Sequence, residues 1–242
     1  MQTIHILFPV LNEENRIEKG ITESVAFMEK HFNGRYKITI VDNGSTDNTE
    51  GLAHTLTRNN ASVHYIKLDD RGVGFALRAG VAANDLDLVG YMDIDLSTKL
   101  EHILDVDKLF YDPSVQIVNG SRLSKGSIII GRRIYRKVTS YGLRFLLKIL
   151  LHMKIDDAIC GFKFFRKDAI NRLMPITHDS PGWFYCIELL IRAERNKVKI
   201  AEIPIIWEDE PNTTVHIFST IKNYVYNILR LRAELKREGK RQ

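Results

Sequence analysis

The 242-residue chain holds only two cysteines, Cys160 and Cys186. Two thiols make neither a disulfide framework nor a four-ligand zinc site, so a reducing cytoplasm is the expected compartment. No apolar run approaches the roughly 18 residues of a membrane-spanning helix. The most apolar stretch, FLLKILL, is interrupted by Lys148. The opening MQTIHILFPVLNEEN has no basic region ahead of its apolar segment and runs into acidic residues, which argues against a secretory signal peptide. No linker rich in Pro, Gly or Ser divides the chain, and no internal repeat is visible, so one domain over residues 1–242 is expected. Aromatics are not interleaved along a basic groove as a single-strand binder requires, so nucleic acid is not an expected partner.

What the chain does have is a core and a polarity. At 44% hydrophobic it can bury a substantial interior. Residues 1–120 carry 11 Lys and Arg against 18 Asp and Glu, and residues 121–242 carry 24 against 12. An anionic partner for the second half is the expectation, against the plainer reading of solvated helix faces.

The first half alternates. HILFPV, KITIVD, VHYIKL, LVGYMDI and VQIVNGS read as strands. Between them lie helical stretches: residues 13–32, STDNTEGLAHTLTRNN with Ser45 or Thr46 as its cap, GFALRAGVAA and LEHILDVDKLF. Such alternation implies crossover connections and a mostly parallel central sheet flanked by helices. In the second half SKGSIIIGRR reads as irregular and RRIYRKVTSYGLRFLLKILLHMK as a long basic amphipathic helix. DDAICGFKFFRKD reads as a loop or short strand, GWFYCIELLIRAERN as a helix, KVKIAEIPIIW as one strand, and the C-terminal stretch as a helix ending in a basic tail.

Ligands of parallel sheets sit beyond the carboxyl ends of the strands. That places residues 9–13, 42–45, 93–97 and 120–122 on one rim. At the tip of the fourth strand, MDIDLS sets Asp93 and Asp95 one residue apart. Two carboxylates there suit a hard divalent cation that takes its other ligands from water and phosphate; the structural alternative is a loop in which Asp95 caps a helix. DIDLST also matches an aspartyl-phosphatase signature, but it falls on the wrong strand and lacks a downstream acidic motif. RGVGFALRAG has Gly72 and Gly74 but Leu77 where a dinucleotide fingerprint needs glycine, so it reads as a turn into a helix.

Taken together, FPVLNEE, VDNGSTDNT, RGVGFALRAG, MDIDLS and NGSR resemble, in order and spacing, the family 2 glycosyltransferases. RKVTSYGLRFLLKILL, DDAICGFKFFRKDA, GWFYCIELL and EIPIIW resemble the branch that transfers hexoses to dolichyl or polyprenyl phosphate. The resemblance implies the α/β fold called GT-A. Residues 1–122 would form the nucleotide-sugar part, 123–215 the acceptor part, and 216–242 an amphipathic helix with a basic tail. It implies a nucleotide-diphosphate sugar donor of the GDP-mannose or UDP-glucose type. Pro9, Leu11 and Glu13 would line the nucleoside site with Ile40 and Asp42, Asp42 accepting a hydrogen bond from the base. Asp93 and Asp95, flanked by Ile94 and Ser97, would hold Mg²⁺ or Mn²⁺ against the diphosphate. Arg122 and Arg136 match arginines expected near donor or acceptor phosphates, with Arg132 and Arg133 as substitutes, and Asp157 matches a position near the acceptor. Asp95, Arg122, Arg136 and Asp157 are thus the expected catalytic set. Lys163 is a candidate phosphate contact, and Glu188 matches a family glutamate or forms a structural ion pair.

The implied chemistry is inverting displacement at the anomeric carbon. Hydroxyl-acceptor members often carry a Glu-Asp pair near the helix that reads here as GWFYCIELL, and this chain has none. A phosphate acceptor is already ionised and needs less help from a base, so a lipid phosphate is favoured over a soluble saccharide. A catalytically silent sugar-nucleotide binder is the third reading. It draws on two departures: Asn43 stands where a second aspartate is common, and Thr214 where a lysine is. The two basic amphipathic helices suit peripheral contact with the cytoplasmic face of a membrane, unless both apolar faces simply cover the sheet. Self-association through the last helix is left open.

Overall fold

Strand β1 (Ile4–Val10) is buried at every position but one, so it needs cover on both faces. The computed structural model supplies it; it describes residues 2–132, 134–209 and 217–238, with side chains of the last helix from Lys222 onward. Arg133, Thr214, Lys240 and Arg241 lie outside the described residues.

The first half follows the expected alternation: α1 (Ile17–Phe32), β2 (Tyr36–Asp42), α2 (Thr49–Asn59), β3 (Val63–Lys67), α3 (Val73–Ala82), β4 (Leu88–Met92), α4 (His102–Leu109) and β5 (Ile117–Ser121). Then come β6 (Ile128–Ile130), α5 (Ile134–Leu151), β7 (Phe162–Arg166), α6 (Lys167–Leu173), α7 (Phe184–Arg195), β8 (Ile200–Pro204), β9 (Ile206–Glu208) and α8 (Ile217–Glu238). A seven-stranded sheet runs β3-β2-β1-β4-β7-β5-β8, and β6 pairs with β9 in a small second sheet. All pairings are parallel except those of β7, which is antiparallel to both β4 and β5. The sheet is mostly parallel, and the apolar core divides between its two faces. Ile6, Phe8 and Ile38 pack on one with α1 and α4, and Leu7, Val89 and Phe165 pack on the other with α3, α6 and α7.

Three local expectations change. Helix α2 begins at Thr49 with Asn48 as its N-cap residue, because Ser45 and Thr46 are drawn into bonds with Asn12. Ile128–Ile130 is a strand, since β9 offers it an edge. DDAICGFKFFRKD takes both of its expected forms, a loop leading into the short strand β7, which is central in the sheet and fully buried at Phe162, Phe164 and Phe165. KVKIAEIPIIW breaks at Ile205 into β8 and β9, which join different sheets.

Glu188 is a structural ion-pair centre. It is fully buried on α7; its Oε1 accepts Arg192 Nε at 2.8 Å and the His178 N–H at 3.0 Å, and its Oε2 accepts Arg230 from α8. Glu234 and Glu238 extend the network on α8. Removing the central carboxylate leaves two guanidiniums without their buried partner, so Glu188→Ala is expected to cost about 3 kcal/mol in denaturant unfolding. A loss under roughly 0.5 kcal/mol would contradict this reading.

His5, also fully buried, contacts Asn84 Oδ1 through Nδ1 at 3.1 Å and Thr39 Oγ1 through Nε2 at 2.7 Å. Burial, reinforced by the charge of Lys37, lowers its pKa from 6.5 to about 4. Between those values the unfolded ring binds a proton and the folded ring does not, so stability falls as pH drops through this window, by roughly 3 kcal/mol for this ring. Denaturant unfolding across the window, in wild type and His5→Gln, should show a shallower pH slope in the variant; equal slopes would exclude His5 as the cause.

Helix α5 has two unlike faces. Ser140, Leu147 and Leu151 are buried, and α8 packs alongside. On the other face Ile134, Val138, Tyr141, Phe145 and Ile149 recur at helical spacing, and all are more than half exposed. The sequence of α5 contains no acidic residue. No described helix is long and apolar enough to cross a membrane.

Candidate active site

The sheet order reverses direction between β1 and β4, the place where open α/β sheets form a crevice. The loops after β1 and β2 are stitched together there. Asn12 N–H donates to Ser45 Oγ at 2.9 Å, Glu13 N–H to Thr49 Oγ1 at 2.8 Å, and Asn43 N–H to Val10 O at 2.9 Å. Leu11 is exposed at the crevice mouth, and Pro9 and Glu13 are half-buried. Burial raises the pKa of Glu13 against the pull of Arg16, and the charge of Asp95 adds to the rise.

Asp93 and Asp95 stand at the end of β4. Burial, then the charge of Asp95, raises Asp93 from 3.8 to about 7. Asp95 Oδ1 accepts the Ser97 N–H at 2.9 Å, and Leu96 between them takes a left-handed φ of 55°. That conformation is costly for a leucine, and it is spent on turning the loop so that the pair stays at the rim. Gly161 completes the cradle: a Cβ there would lie 2.0 Å from Asp93 Oδ2. A carboxylate pushed up by burial and by its neighbour, and kept in a glycine-walled niche, fits a divalent cation. Among the described residues no group of three or more His, Cys, Asp or Glu forms an all-protein cage, so such an ion would share its shell with ligand oxygens and water. A hollow of about 340 Å³ opens beside Asp95 and Ser97 and is also lined by Glu208 and Asp209.

The antiparallel course of β7 matters here. Because β7 starts at the rim beside Met92, the loop before it brings Asp157 and Gly161 to the same edge as Arg122. Arg122 meets the fully buried Asp157 through Nε at 2.7 Å and Nη2 at 3.0 Å, and Asp157 also accepts the Arg122 backbone N–H. Although burial opposes ionisation, Arg122 holds Asp157 below the usual carboxylate range. The guanidinium carbon of Arg122 lies 4.8 Å from the centre of the Trp207 ring. Arg136 pairs with Asp209 at 3.0 Å. Arg132 donates to Ser140 Oγ at 2.6 Å, and its buried Nε has no partner among the described residues. Burial and the nearby charge of Arg122 lower the pKa of Arg132. Arg122, Arg132 and Lys137 line a cleft of about 290 Å³ together with Ser124, Ser127 and Tyr141. Crowded cations around a hollow are relieved by an anion.

The expected residues therefore fall into two groups on one rim. Asp93, Asp95 and Glu13 form an acidic side, and Arg122 with Asp157 marks a basic one. Arg122, expected near a donor or acceptor phosphate, and Asp157, expected near the acceptor, are one bidentate pair. Asp42 is fully buried; Oδ1 accepts the Ser45 N–H and Oδ2 the Tyr65 hydroxyl, both at 2.8 Å, so its carboxylate already shapes its own turn. The side chains of Ile40, Ile94 and Ser97 are buried; Ile40 is paired with β1 and β3 on either side, and Ser97 gives its N–H to Asp95 Oδ1 and its C=O to the Glu208 N–H, so the backbone of neither Ile40 nor Ser97 is free for a ligand. Lys163 is fully buried and donates to Cys160 O, which removes it as a phosphate contact. Gly72 and Gly74 pack closely against the backbone of residues 180–181, in keeping with a turn. Sequence reasoning missed Glu202, whose carboxylate accepts the N–H groups of Asp156 and Asp157 at 2.8 Å each, and it missed Trp207 and Asp209. The only available signal was their place in and just after EIPIIW.

A twisted, mostly parallel sheet with an acidic strand tip at its reversal point defines a GT-A-like glycosyltransferase. The glycosyl transferase family 2 model matches residues 5–174, and the chain belongs to that family. A dolichyl-phosphate beta-glucosyltransferase of Saccharomyces cerevisiae is 30% identical over 227 residues, covering 85% of this chain and 67% of that one. The Homo sapiens protein of the same name is 31% identical over 220 residues, with the same coverage. Glycosyltransferase AglD of Haloferax volcanii is 28% identical over 229 residues, and this chain spans only 36% of its length. Among solved structures, glucosyl-3-phosphoglycerate synthase from Mycobacterium tuberculosis in complex with UDP superposes with a TM-score of 0.74. It is 22% identical and covers 96% of this chain and 80% of its own, a likeness of fold.

Proposed function

We propose that this glycosyltransferase moves glucose from a nucleotide-diphosphate sugar to a dolichyl- or polyprenyl-type phosphate at a membrane surface, with inversion at the anomeric carbon. The observation that carries the reading is the placement, on one rim, of an acidic strand tip beside a cleft of crowded guanidiniums. Arg122 and Asp93 are close enough to influence each other's ionisation. The sugar follows from the names of the curated relatives.

In this reading Pro9, Leu11, Glu13 and the Asp42 turn receive the nucleoside, and Asp93 and Asp95 hold Mg²⁺ or Mn²⁺. The bound ion supplies positive charge for the departing diphosphate. Arg122, Arg132 and Lys137 take the acceptor phosphate in the 290 Å³ cleft. An ionised phosphate oxygen is itself the nucleophile, so no side chain need remove a proton. Asp157 keeps the Arg122 fork aimed, and Glu202 keeps Asp157 in place. The exposed apolar stripe of α5 starts beside this cleft, since Tyr141 belongs to both. It supports docking on the cytoplasmic face of an anionic membrane, where the lipid's headgroup lies level with the arginines.

Isothermal titration of wild type and Asp95→Ala with UDP and GDP, with and without Mn²⁺, tests the donor side. Metal-dependent binding of one nucleotide, lost in the variant, is expected. Equal binding with and without metal, or unchanged binding in the variant, would remove the carboxylate pair from the donor site.

A further inference from the structure

Strand β9 borders the hollow beside Asp95, and its partner β6 borders the arginine cleft. Glu208 and Asp209 line the hollow that holds Asp95 and Ser97, and β9's partner strand β6 supplies Ile129 to the arginine cleft. One edge of β9 is fixed to the acidic loop: Glu208 N–H donates to Ser97 O at 2.8 Å, and Thr98 bridges to Trp207. The side chains of the same segment reach the arginines. Trp207 stacks on Arg122, and its Nε1 donates to Asp209 Oδ1 at 2.7 Å; Asp209 Oδ2 accepts Arg136 Nη1 at 3.0 Å.

Arg122 follows β5 and Arg136 belongs to α5, so two cations from different elements are referenced to one Trp-Asp pair. Both members are well covered, Trp207 at 7% residue exposure and Asp209 at 9% side-chain exposure. A shielded carboxylate holds a guanidinium more firmly than an exposed one does. We propose that Trp207 and Asp209 are positioning residues. They hold Arg122, which lines the cleft, and Arg136, next in sequence to the cleft-lining Lys137, in register with the Asp93–Asp95 tip and thereby set affinity for the acceptor phosphate. The proposal rests on the lipid-phosphate reading above.

Asp209→Asn separates the functions of this pair, because the amide oxygen still accepts the indole N–H while the charge facing Arg136 is gone. Titration with farnesyl phosphate and, separately, with UDP and Mn²⁺ reads the result. Farnesyl phosphate should bind about tenfold more weakly in Asp209→Asn, with UDP affinity within about twofold of wild type and an unchanged melting temperature. Trp207→Phe, which keeps a ring under Arg122 but loses the N–H, should weaken it by about threefold. If Asp209 acts through Arg136, the double variant Arg136→Gln/Asp209→Asn binds no more weakly than Arg136→Gln alone. Wild-type affinity in Asp209→Asn, full additivity in the double variant, or equal loss of UDP and farnesyl phosphate would each overturn the proposal. Wild type that binds UDP but ignores farnesyl phosphate would overturn the acceptor reading, and this proposal with it. Wild-type binding of both with an unaffected Asp209→Asn would overturn this proposal alone.

Discussion

Asp95→Asn is expected to leave the fold standing and reduce sugar transfer by about three orders of magnitude, because the carboxylate charge at the strand tip is what would hold the cation that neutralises the departing diphosphate. The side chain is not in the core and accepts one local bond, from Ser97 N–H, that an amide oxygen can still receive. Gly161→Ala tests the same tip without replacing a carboxylate. Its added methyl would sit 2.0 Å from Asp93 Oδ2, so Asp93 must move. A displacement of that order is expected to lower kcat by about 100-fold. Steady-state transfer assays on both variants, with circular dichroism to confirm folding, provide the check. Activity within about tenfold of wild type in folded Asp95→Asn would place the chemistry elsewhere.

The second large effect concerns α5. Phe145→Glu with Ile149→Glu changes two side chains that are 63% and 52% exposed, so folding should be unaffected. Burying two such side chains in a bilayer interface contributes roughly 1.5–3 kcal/mol each, so their loss should weaken binding to anionic vesicles by more than about 100-fold. Transfer to a long-chain lipid phosphate in vesicles should fall in step, while transfer to a short-chain, water-soluble prenyl phosphate should persist. Equal loss on both acceptors would make the stripe part of the catalytic fold and not a docking face. A second copy of the chain is a poorer occupant than a membrane. A two-fold contact through α5 would bring two helices with basic and no acidic residues against each other.

The first half of the fold was legible because β1 to β5 are apolar runs punctuated by helices, and the carboxylates fall where the runs stop. The second half was not. FKFF is short and apolar apart from Lys163, a pattern that fits a strand of either direction, so nothing local marks β7 as antiparallel or central. Yet that reversal is what carries Asp157 and Gly161 to the rim. KVKIAEIPIIW has no glycine to announce its break at Ile205; two competing strand edges decide it. Helix α5 has apolar residues on both faces, so periodicity alone does not tell which face the sheet takes. Arg122, Arg136 and Asp157 were legible as site candidates by resemblance, but their partners were not. Trp207 and Asp209 lie more than 70 positions from the arginines they hold, and only the folded chain brings them together.

The most direct measurement is mass-spectrometric detection of product after incubating the protein with UDP-glucose or GDP-mannose, Mn²⁺ and a polyprenyl phosphate in anionic vesicles. A glycosyl phosphoryl lipid formed in step with one nucleoside diphosphate, and absent with Asp95→Asn, is the expected result. Sugar appearing on water or on a soluble saccharide, with the lipid phosphate unchanged, would contradict the assignment of the arginine cleft to a lipid phosphate.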